Sequence, residues 1–182
     1  MKILAFGASN SKNSINQKLA LYTASLLEGA EVETLDLNEY ELPIYSQDRQ
    51  DEGGIPSLAH QFLAKIAEAD ALIISFAEHN GSFSVAYKNI FDWASRENMK
   101  VYQDKKTIFL STSPGPNGGA TVLGAASGGA PFQGANLLAS IPVGSFYDIY
   151  DAETDQITNN DVNEQLKEAV GKLSDTANIA AA

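Results

Sequence analysis

Three segments of this sequence carry side chains that could bind a ligand, and the first begins at Gly7. Eight of the ten residues from Ala8 to Gln17 are Ser, Asn, Lys or Gln. An apolar strand precedes this turn and an amphipathic helix begins near Ser14, so unpaired N–H groups and the positive end of the helix dipole face the turn. We predict an anion site here, most simply for phosphate. The alternative is an ordinary strand-to-helix turn with a Ser or Asn cap. We call residues 7–17 loop one.

The second segment, Glu78 to Phe83, follows the most apolar run of the chain. Its polar side chains supply donors and acceptors, and Gly81 lets the backbone approach a ligand closely. His79 could lie against a ring, although an exposed turn residue is the alternative, and Asn80 with Gly81 could be a plain turn pair. We call this segment loop two and predict that it lines a binding site.

The third segment, Thr112 to Gly119, contains two prolines and three glycines. The prolines fix the path of the chain, and the glycines permit close backbone contact. Taken alone, this composition indicates only a rigid turn, which we call loop three. The glycine fingerprint of a standard dinucleotide-binding fold is absent after the first strand, and so is a Walker A phosphate loop.

The composition restricts the class of protein. The 182 residues include no cysteine, which excludes disulfides, thiolate metal sites and a cysteine nucleophile, and two histidines disfavour a His-rich metal site. The net charge of −11 disfavours a nucleic-acid binder, which needs a basic surface. No run approaches the roughly 18 apolar residues of a membrane span, and the N-terminus lacks the pattern of a signal peptide. We therefore expect a cytoplasmic protein with no metal, nucleic-acid or membrane partner.

The elements that would position the three loops alternate between strand and helix. Short apolar runs predict buried strands at residues 3–6, 71–76 and 107–111, a partly exposed strand at 32–37 and a fifth strand at 141–146. With helices between them, this order predicts an α/β fold in one domain, residues 1–182. We expect a three-layer, doubly wound parallel sheet of five strands in the order 2-1-3-4-5. All three loops then leave the carboxyl edge of the sheet, where ligands bind in such folds.

Further expectations concern the rest of the chain. We expect a long surface loop from Asn38 to Gly54, a partly helical stretch from Ala120 to Ala139, and a loop from Asp151 to Asn160 that can hold a small hairpin. The helix predicted over Ser84 to Glu97 carries aromatic residues on more than one side. This pattern favours an interface as much as it favours a buried helix with one exposed Trp, Trp93.

Taken together, the three loops resemble the NADPH-dependent FMN reductase family, the flavodoxin-like quinone, chromate and azo reductases. Loop one reads Gly-Ala-Ser-Asn-Ser-Lys-Asn-Ser-Ile-Asn where the family has roughly G-S-x-R-x-x-S-x-N. Residues 77–80 read Ala-Glu-His-Asn where the family has P-E-Y-N, and residues 88–93 match K-N-x-x-D-W. Loop three matches S-x-G-x-x-G-G from Ser113. The resemblance spans most of the chain, in order and at matching spacing, and implies a flavodoxin-like fold.

The resemblance implies FMN as the cofactor and assigns residues to it. The phosphate of FMN would be held by five residues of loop one: Ser9, Ser11, Ser14, Asn16 and Gln17. The ribityl chain and the isoalloxazine ring would lie against residues of loops two and three: Glu78, His79, Asn80, Gly81, Ser113 and Gly115. Because the cofactor carries the chemistry, we assign no catalytic side chain and no metal ligand.

Three positions depart from the family pattern. Ser11 stands where many members have Arg, and His79 replaces the usual Tyr. Thr121 stands where an Arg is common, in a position that bears on the pyridine nucleotide. The resemblance therefore supports FMN more strongly than it supports NADPH over NADH as co-substrate.

The activity that the resemblance implies is that of an NAD(P)H-dependent FMN oxidoreductase. Such an enzyme passes a hydride from the nicotinamide through bound FMN to a small acceptor such as a quinone, an azo compound, a metal oxyanion or free flavin. Family members are usually dimers or tetramers, so a homodimer or homotetramer is expected. The alternatives are a flavodoxin-type electron carrier without nicotinamide activity and a cofactor-free binding or regulatory domain of the same fold.

Overall fold

A parallel sheet forms the centre of the computed structural model, which describes residues 1–175. Its five strands are β1 (Lys2–Ala8), β2 (Glu31–Thr34), β3 (Ala71–Phe76), β4 (Lys105–Thr112) and β5 (Ala135–Val143). They pair in the order β2-β1-β3-β4-β5, and every neighbouring pair is parallel. This is the strand order of the flavodoxin-like fold, so the predicted topology is confirmed.

Helices cover both faces of the sheet and complete the three predicted layers. The helices are α1 (Ile15–Ser25), α2 (Gln47–Gly53), α3 (Ser57–Glu68), α4 (Val85–Glu97), α5 (Ala120–Gly129), α6 (Phe146–Ile149) and α7 (Asn160–Asp175). Leu19 of α1 and Leu166 of α7 belong to the core on one face. Phe62 of α3, Ile90 of α4 and Leu123 of α5 belong to the core on the other. Among the described residues, none of these helices has both the length and the apolarity that crossing a membrane requires.

The inner strands are apolar because helices cover both of their faces. All six residues of β3 are buried, and so is β1 from Ile3 to Ala8. Alternate residues of β1 enter opposite cores: Leu4 and Phe6 lie on the side of α3, whereas Ile3 and Ala5 lie on the side of α1. The edge strand β2 is mostly exposed, which agrees with the alternation of apolar and polar residues in its sequence.

The segment from Asn38 to Gly54 is more ordered than the long surface loop that we expected. A 3₁₀ turn spans Leu37–Tyr40, and α2 follows within the same segment. Ser46 caps the start of α2, because its side chain accepts a hydrogen bond from the backbone N–H of Arg49 at 3.2 Å. None of the residues of α2 is buried. The helix therefore has no apolar stripe by which the sequence could reveal it.

The fifth strand begins and ends earlier than the predicted range of residues 141–146. Its first residue is Ala135, inside the stretch from Ala120 to Ala139 that we expected to be partly helical, and α5 occupies the first ten residues of that stretch. Most residues of β5 are partly exposed, so apolarity alone placed the strand too late. Phe146 opens α6 and does not belong to the strand.

A small hairpin follows α6, as the sequence allowed. Tyr150–Asp151 pairs in an antiparallel way with Gln156–Ile157. The Asn159 side chain then accepts a hydrogen bond from the backbone N–H of Val162 at 3.0 Å. This contact caps the start of α7.

Trp93 is buried. One of the two alternatives for α4 required an exposed Trp93, and that alternative is wrong. Only 1% of its surface is accessible. Its indole N–H donates to the backbone carbonyl of Pro43 at 2.8 Å, and its ring packs nearly perpendicular to that of Tyr45 with centroids 5.0 Å apart. The ordered segment between β2 and α3 supplies these partners, so Trp93 itself offers no surface to another chain.

Candidate functional site

Loops one, two and three meet at the carboxyl edge of the sheet. They follow β1, β3 and β4, which are neighbours in the strand order. A cleft of about 230 Å³ lies between them. The predicted residues that line this cleft are Ser9, Ser11, Ser14, Asn16, Glu78, His79 and Ser113.

Four predicted site residues do not line the cleft: Gln17, Asn80, Gly81 and Gly115. Gln17 faces the end of β1, where its Oε1 accepts a hydrogen bond from the N–H of Gly7 at 2.6 Å. Asn80 and Gly81 form the tip of loop two. The carbonyl of Gly115 accepts a hydrogen bond from the N–H of Ser145 at 2.9 Å. These residues support the walls of the cleft from behind or extend beyond it.

Gly7 allows the end of β1 to lie against the start of α1. A Cβ atom at this position would come within 2.4 Å of the backbone nitrogen of Gln17, so the close approach requires glycine. Ser14 caps the start of α1, with its Oγ accepting a hydrogen bond from the N–H of Gln17 at 3.1 Å. The cap predicted near Ser14 is therefore confirmed.

Four backbone N–H groups around the start of α1 have no acceptor among residues 1–175: those of Lys12, Asn13, Ile15 and Asn16. They lie where the helix dipole is positive. The Oγ of Ser9 accepts a hydrogen bond from the N–H of Ser11 at 3.1 Å, so the Ser9 hydroxyl proton is still available as a donor. Free donors at the positive end of a helix are suited to binding a phosphate.

Asn16 lies beneath these donors and is 3% exposed. Its side-chain amide bonds to Ser75 in β3 and to Thr112 at the end of β4. The side chain thus joins loop one to the two neighbouring strands, and only its backbone N–H is free.

Loop two is a β-hairpin. Glu78–His79 pairs with Ser82–Phe83 in an antiparallel way. Asn80 and Gly81 connect the two strands with φ angles of 53° and 75°, as in the two-residue turns that favour Asn-Gly. The turn chemistry of Asn80 and Gly81 accounts for their residue types without a ligand. His79 is exposed on the strand and contributes to the cleft.

Glu78 ties loop two to the end of loop three. Its Oε2 accepts a hydrogen bond from the backbone N–H of Val122, in the first turn of α5, at 2.9 Å. Gly119 precedes α5 with a φ of 72° and offers no side chain as a cap. The Glu78 carboxylate therefore satisfies one of the backbone N–H groups at the start of α5, which the cap residue Gly119 cannot do.

Loop three is held by the chain that follows β5. The N–H of Ser145 donates to the carbonyl of Gly115, and the N–H of Phe146 donates to the carbonyl of Ser113 at 3.2 Å. At Gly144, a Cβ atom would come within 2.2 Å of the carbonyl oxygen of Pro116. Loop three is thus fixed against α6, in the rigid form that its prolines and glycines predicted.

Tyr147 is a residue of the cleft that the sequence did not reveal. It lies in α6, lines the cleft together with Pro114, and is 69% exposed. Phe146 beside it is buried and stacks on Tyr150 with ring centroids 4.6 Å apart, which anchors the short helix. Tyr147 follows the fifth strand rather than the three loops, so only the position of α6 could have indicated it.

A second cleft of about 290 Å³ adjoins the first and shares His79 with it. Leu37, Tyr40 and Leu42 line one wall, and α4 forms another. Asn89 of α4 holds that wall in place, because its Nδ2 donates to the carbonyl of Leu42 at 3.0 Å. Together with the bond from Trp93 to Pro43, this contact gives the K-N-x-x-D-W segment a role in shaping the cleft.

The sequence is similar to a family of known proteins over most of its length. The model of the NADPH-dependent FMN reductase family matches residues 1–142. The NADPH:quinone oxidoreductase of Arabidopsis thaliana is 32% identical over 123 residues, which are 65% of this chain and 61% of that protein. The 2-hydroxy-1,4-benzoquinone reductase of a Burkholderia species is 35% identical over 122 residues, which are 66% of this chain and 64% of that protein. The chain thus matches less than two thirds of the length of these relatives.

Among solved structures, the flavoenzyme NAD(P)H:(acceptor) oxidoreductase FerB from Paracoccus denitrificans is similar over nearly its whole length. The TM-score is 0.76 at 24% sequence identity, and the superposition covers 96% of this chain and 95% of FerB. At this level of identity the likeness establishes a shared fold.

Proposed function

Because the chain belongs to the NADPH-dependent FMN reductase family, we propose that its cleft binds FMN and that it is an NAD(P)H-dependent FMN oxidoreductase. The observation that carries the proposal is the group of unpartnered N–H donors at the start of α1. They lie beside a strand-order reversal, between β1 and β3, which is where ligands bind in doubly wound sheets.

The phosphate of FMN fits the loop-one end of the cleft. The N–H groups of Lys12, Asn13, Ile15 and Asn16 would donate to its oxygens, and the hydroxyls of Ser9 and Ser11 would add to them. Glu78 is the only acidic residue in the described lining, and its carboxylate is engaged by α5. Backbone amides thus attract the phosphate locally, although the net charge of −11 repels an anion.

The ring end of the cofactor is proposed to lie toward His79 and Ser113, where the first cleft meets the second. When bound, FMN would supply the chemistry, taking a hydride from NADH or NADPH and passing electrons to a small acceptor such as a quinone, an azo compound, a metal oxyanion or free flavin. The protein would orient the ring between loops two and three and keep one of its faces open. No side chain is proposed as an acid or a base.

We also propose a cytoplasmic, homodimeric or homotetrameric protein whose chain forms one domain. Oligomer formation is supported by Phe132, which is 84% exposed. Its neighbour Gln133 lines a cavity of about 130 Å³ together with Phe83 and Phe91. Lys88 and Asp92 complete the lining of this cavity beside its aromatic residues, and apolar surface rimmed by polar side chains is typical of an interaction site.

The test is the visible spectrum of the purified protein, followed by titration with FMN and anaerobic mixing with each nicotinamide. We expect FMN to bind and the flavin absorbance to bleach within seconds of adding NADH or NADPH. An electron carrier would bind FMN but stay oxidised for minutes. A protein that neither carries nor takes up FMN would contradict the proposal and favour the cofactor-free alternative.

A further inference from the structure

Asn16 uses both ends of its side-chain amide inside the protein. Its Oδ1 accepts one hydrogen bond from the Ser75 hydroxyl at 2.7 Å and another from the backbone N–H of Thr112 at 3.0 Å. Its Nδ2 donates to the carbonyl of Thr112 at 3.2 Å. Asn16, Ser75 and Thr112 are 3%, 0% and 2% exposed. The amide is therefore held by buried groups on three sides.

These contacts join two walls of the cleft. Asn16 belongs to loop one and to the first turn of α1, whereas Thr112 begins loop three. Within the described part of the chain, no other hydrogen bond connects residues 9–17 to residues 112–119. The Asn16 side chain thus fixes the distance between the free N–H donors of loop one and the opposite wall.

We infer that Asn16 is a positioning residue, whose side chain sets the separation of loops one and three and does not bind the phosphate. The inference rests on the proposed FMN site, and it replaces the phosphate contact that the family motif implies for this side chain. If the amide turned toward a ligand, the Thr112 N–H and the Ser75 hydroxyl would lose their partners in a buried place, which is costly. The backbone N–H of Asn16 stays available to the phosphate.

Riboflavin separates the two roles, because it has the ring and the ribityl chain of FMN but no phosphate. A side chain that binds phosphate contributes to the affinity for FMN alone, whereas one that sets the distance between two walls contributes to the affinity for both flavins. We expect Asn16→Ala to weaken FMN binding by about tenfold and riboflavin binding by about threefold, because the displaced loop one carries the phosphate donors and also forms one wall of the cleft. Quenching of flavin fluorescence measures both dissociation constants, and the change in the riboflavin constant is the decisive quantity.

Ser75→Ala is an independent variant, because Ser75 is fully buried beneath the cleft and cannot touch a flavin. It removes one hydrogen bond to Asn16 and should weaken the binding of both flavins by about threefold. The double variant should bind no more weakly than Asn16→Ala alone, since both substitutions break one network. Asn136→Ala, at an exposed asparagine in β5, is the matched control and should leave both affinities unchanged. Urea unfolding of each variant shows that the protein is folded under the conditions in which its flavin affinity is measured.

The outcomes distinguish this inference from the proposed function. If the wild-type protein binds neither flavin, the proposed function is overturned and the inference with it. If the wild-type protein binds both, and Asn16→Ala weakens FMN binding but leaves riboflavin binding unchanged, the side chain binds phosphate and the positioning role is overturned. Effects of Ser75→Ala and Asn16→Ala that simply add would overturn it as well. Weaker binding of both flavins by Asn16→Ala, with non-additive effects of the two substitutions, supports it.

Discussion

The carboxylate of Glu78 accepts a hydrogen bond from the backbone N–H of Val122 at 2.9 Å, so a residue of loop two caps the helix that follows loop three. The two residues are 44 positions apart in the chain. The contact places a negative charge at the positive end of α5, where Gly119 has no side chain to offer. It also fixes the strand that carries His79 against the other wall of the cleft.

Replacing Glu78 should therefore affect both stability and flavin binding. We expect Glu78→Ala to lower the free energy of unfolding by about 1 kcal/mol, the usual value of a lost helix cap, and to weaken FMN binding because loop two is released. Glu78→Gln keeps an acceptor oxygen but not the charge, so its effect should be smaller. Urea denaturation and FMN titration measure the two effects.

The control for Glu78 is Glu28→Ala, at an exposed glutamate that caps no helix. It should change the free energy of unfolding by no more than about 0.5 kcal/mol. Equal losses of stability in Glu28→Ala and Glu78→Ala would contradict the capping role.

Gly7→Ala should disrupt loop one more than a single methyl group suggests. The new Cβ would lie 2.4 Å from the backbone nitrogen of Gln17, and backbone cannot move aside as a flexible side chain can. Overpacking of this kind costs about 1–3 kcal/mol, and the displaced start of α1 should lose most of its affinity for FMN. Thermal unfolding and FMN titration measure these changes.

Gly124→Ala is the matched control for that substitution. Gly124 lies within α5, and a Cβ there would meet nothing within 4 Å. Alanine is the better helix former by about 1 kcal/mol, so this variant should be at least as stable as the wild type. A Gly7→Ala variant that binds FMN as tightly as Gly124→Ala would show that the close approach at Gly7 does not matter for binding.

The sheet could be predicted from the sequence because its inner strands are buried on both faces. Runs such as Ala71 to Phe76 are then apolar throughout, and their alternation with helices fixes the topology. β5 and α2 were placed wrongly or missed, because most of their residues are partly or fully exposed and leave no apolar pattern. Trp93 was ambiguous because its partners, Pro43 and Tyr45, lie about 50 residues earlier in the chain.

The site shows the same division between local and distant information. The donors of loop one could be predicted from its local composition. The cap at Ser14 could be predicted because an amphipathic helix begins there. The engagement of the Asn16 side chain by Ser75 and Thr112 is a contact between distant residues, which spacing alone cannot reveal. Tyr147 reaches the cleft only because α6 is fastened to loop three.

Phe132→Asp tests the proposed oligomer. An aspartate in place of this exposed ring would have to be desolvated at an apolar interface, which opposes association. We expect light scattering after size exclusion to report a smaller assembly at equal protein concentration. Val32→Asp, on the edge strand β2 and 37% exposed, is the control and should leave the mass unchanged. A monomeric wild-type protein, or an unchanged mass for Phe132→Asp, would contradict an interface at this position.

Tyr87 and Tyr102 form a buried hydroxyl pair with their oxygens 2.5 Å apart, and they are 1% and 2% exposed. Removing one of the two hydroxyls should lower the free energy of unfolding more than removing both. Tyr87→Phe leaves the Tyr102 hydroxyl without a partner and should lower the free energy of unfolding by about 1–3 kcal/mol. The double variant, with Phe at both positions, should recover much of this loss. If the double variant is less stable than Tyr87→Phe alone, the pair does not behave as a coupled unit.

The same pair predicts how stability changes at alkaline pH. Burial raises the pKa of Tyr87 and of Tyr102 above the ordinary value of 10.0. In the unfolded chain both ionise near pH 10.0, whereas in the folded protein they stay neutral. The stability is therefore fully present below that pH and is lost as the pH rises through the range between the unfolded and folded pKa values.

Urea unfolding between about pH 8 and about pH 11 should show a smaller loss in the double Phe variant. The dependence that remains would come from residues such as Tyr150, whose pKa burial and the Asp155 carboxylate raise to about 12. An equal loss in the wild type and the double variant would contradict the assignment to the buried pair.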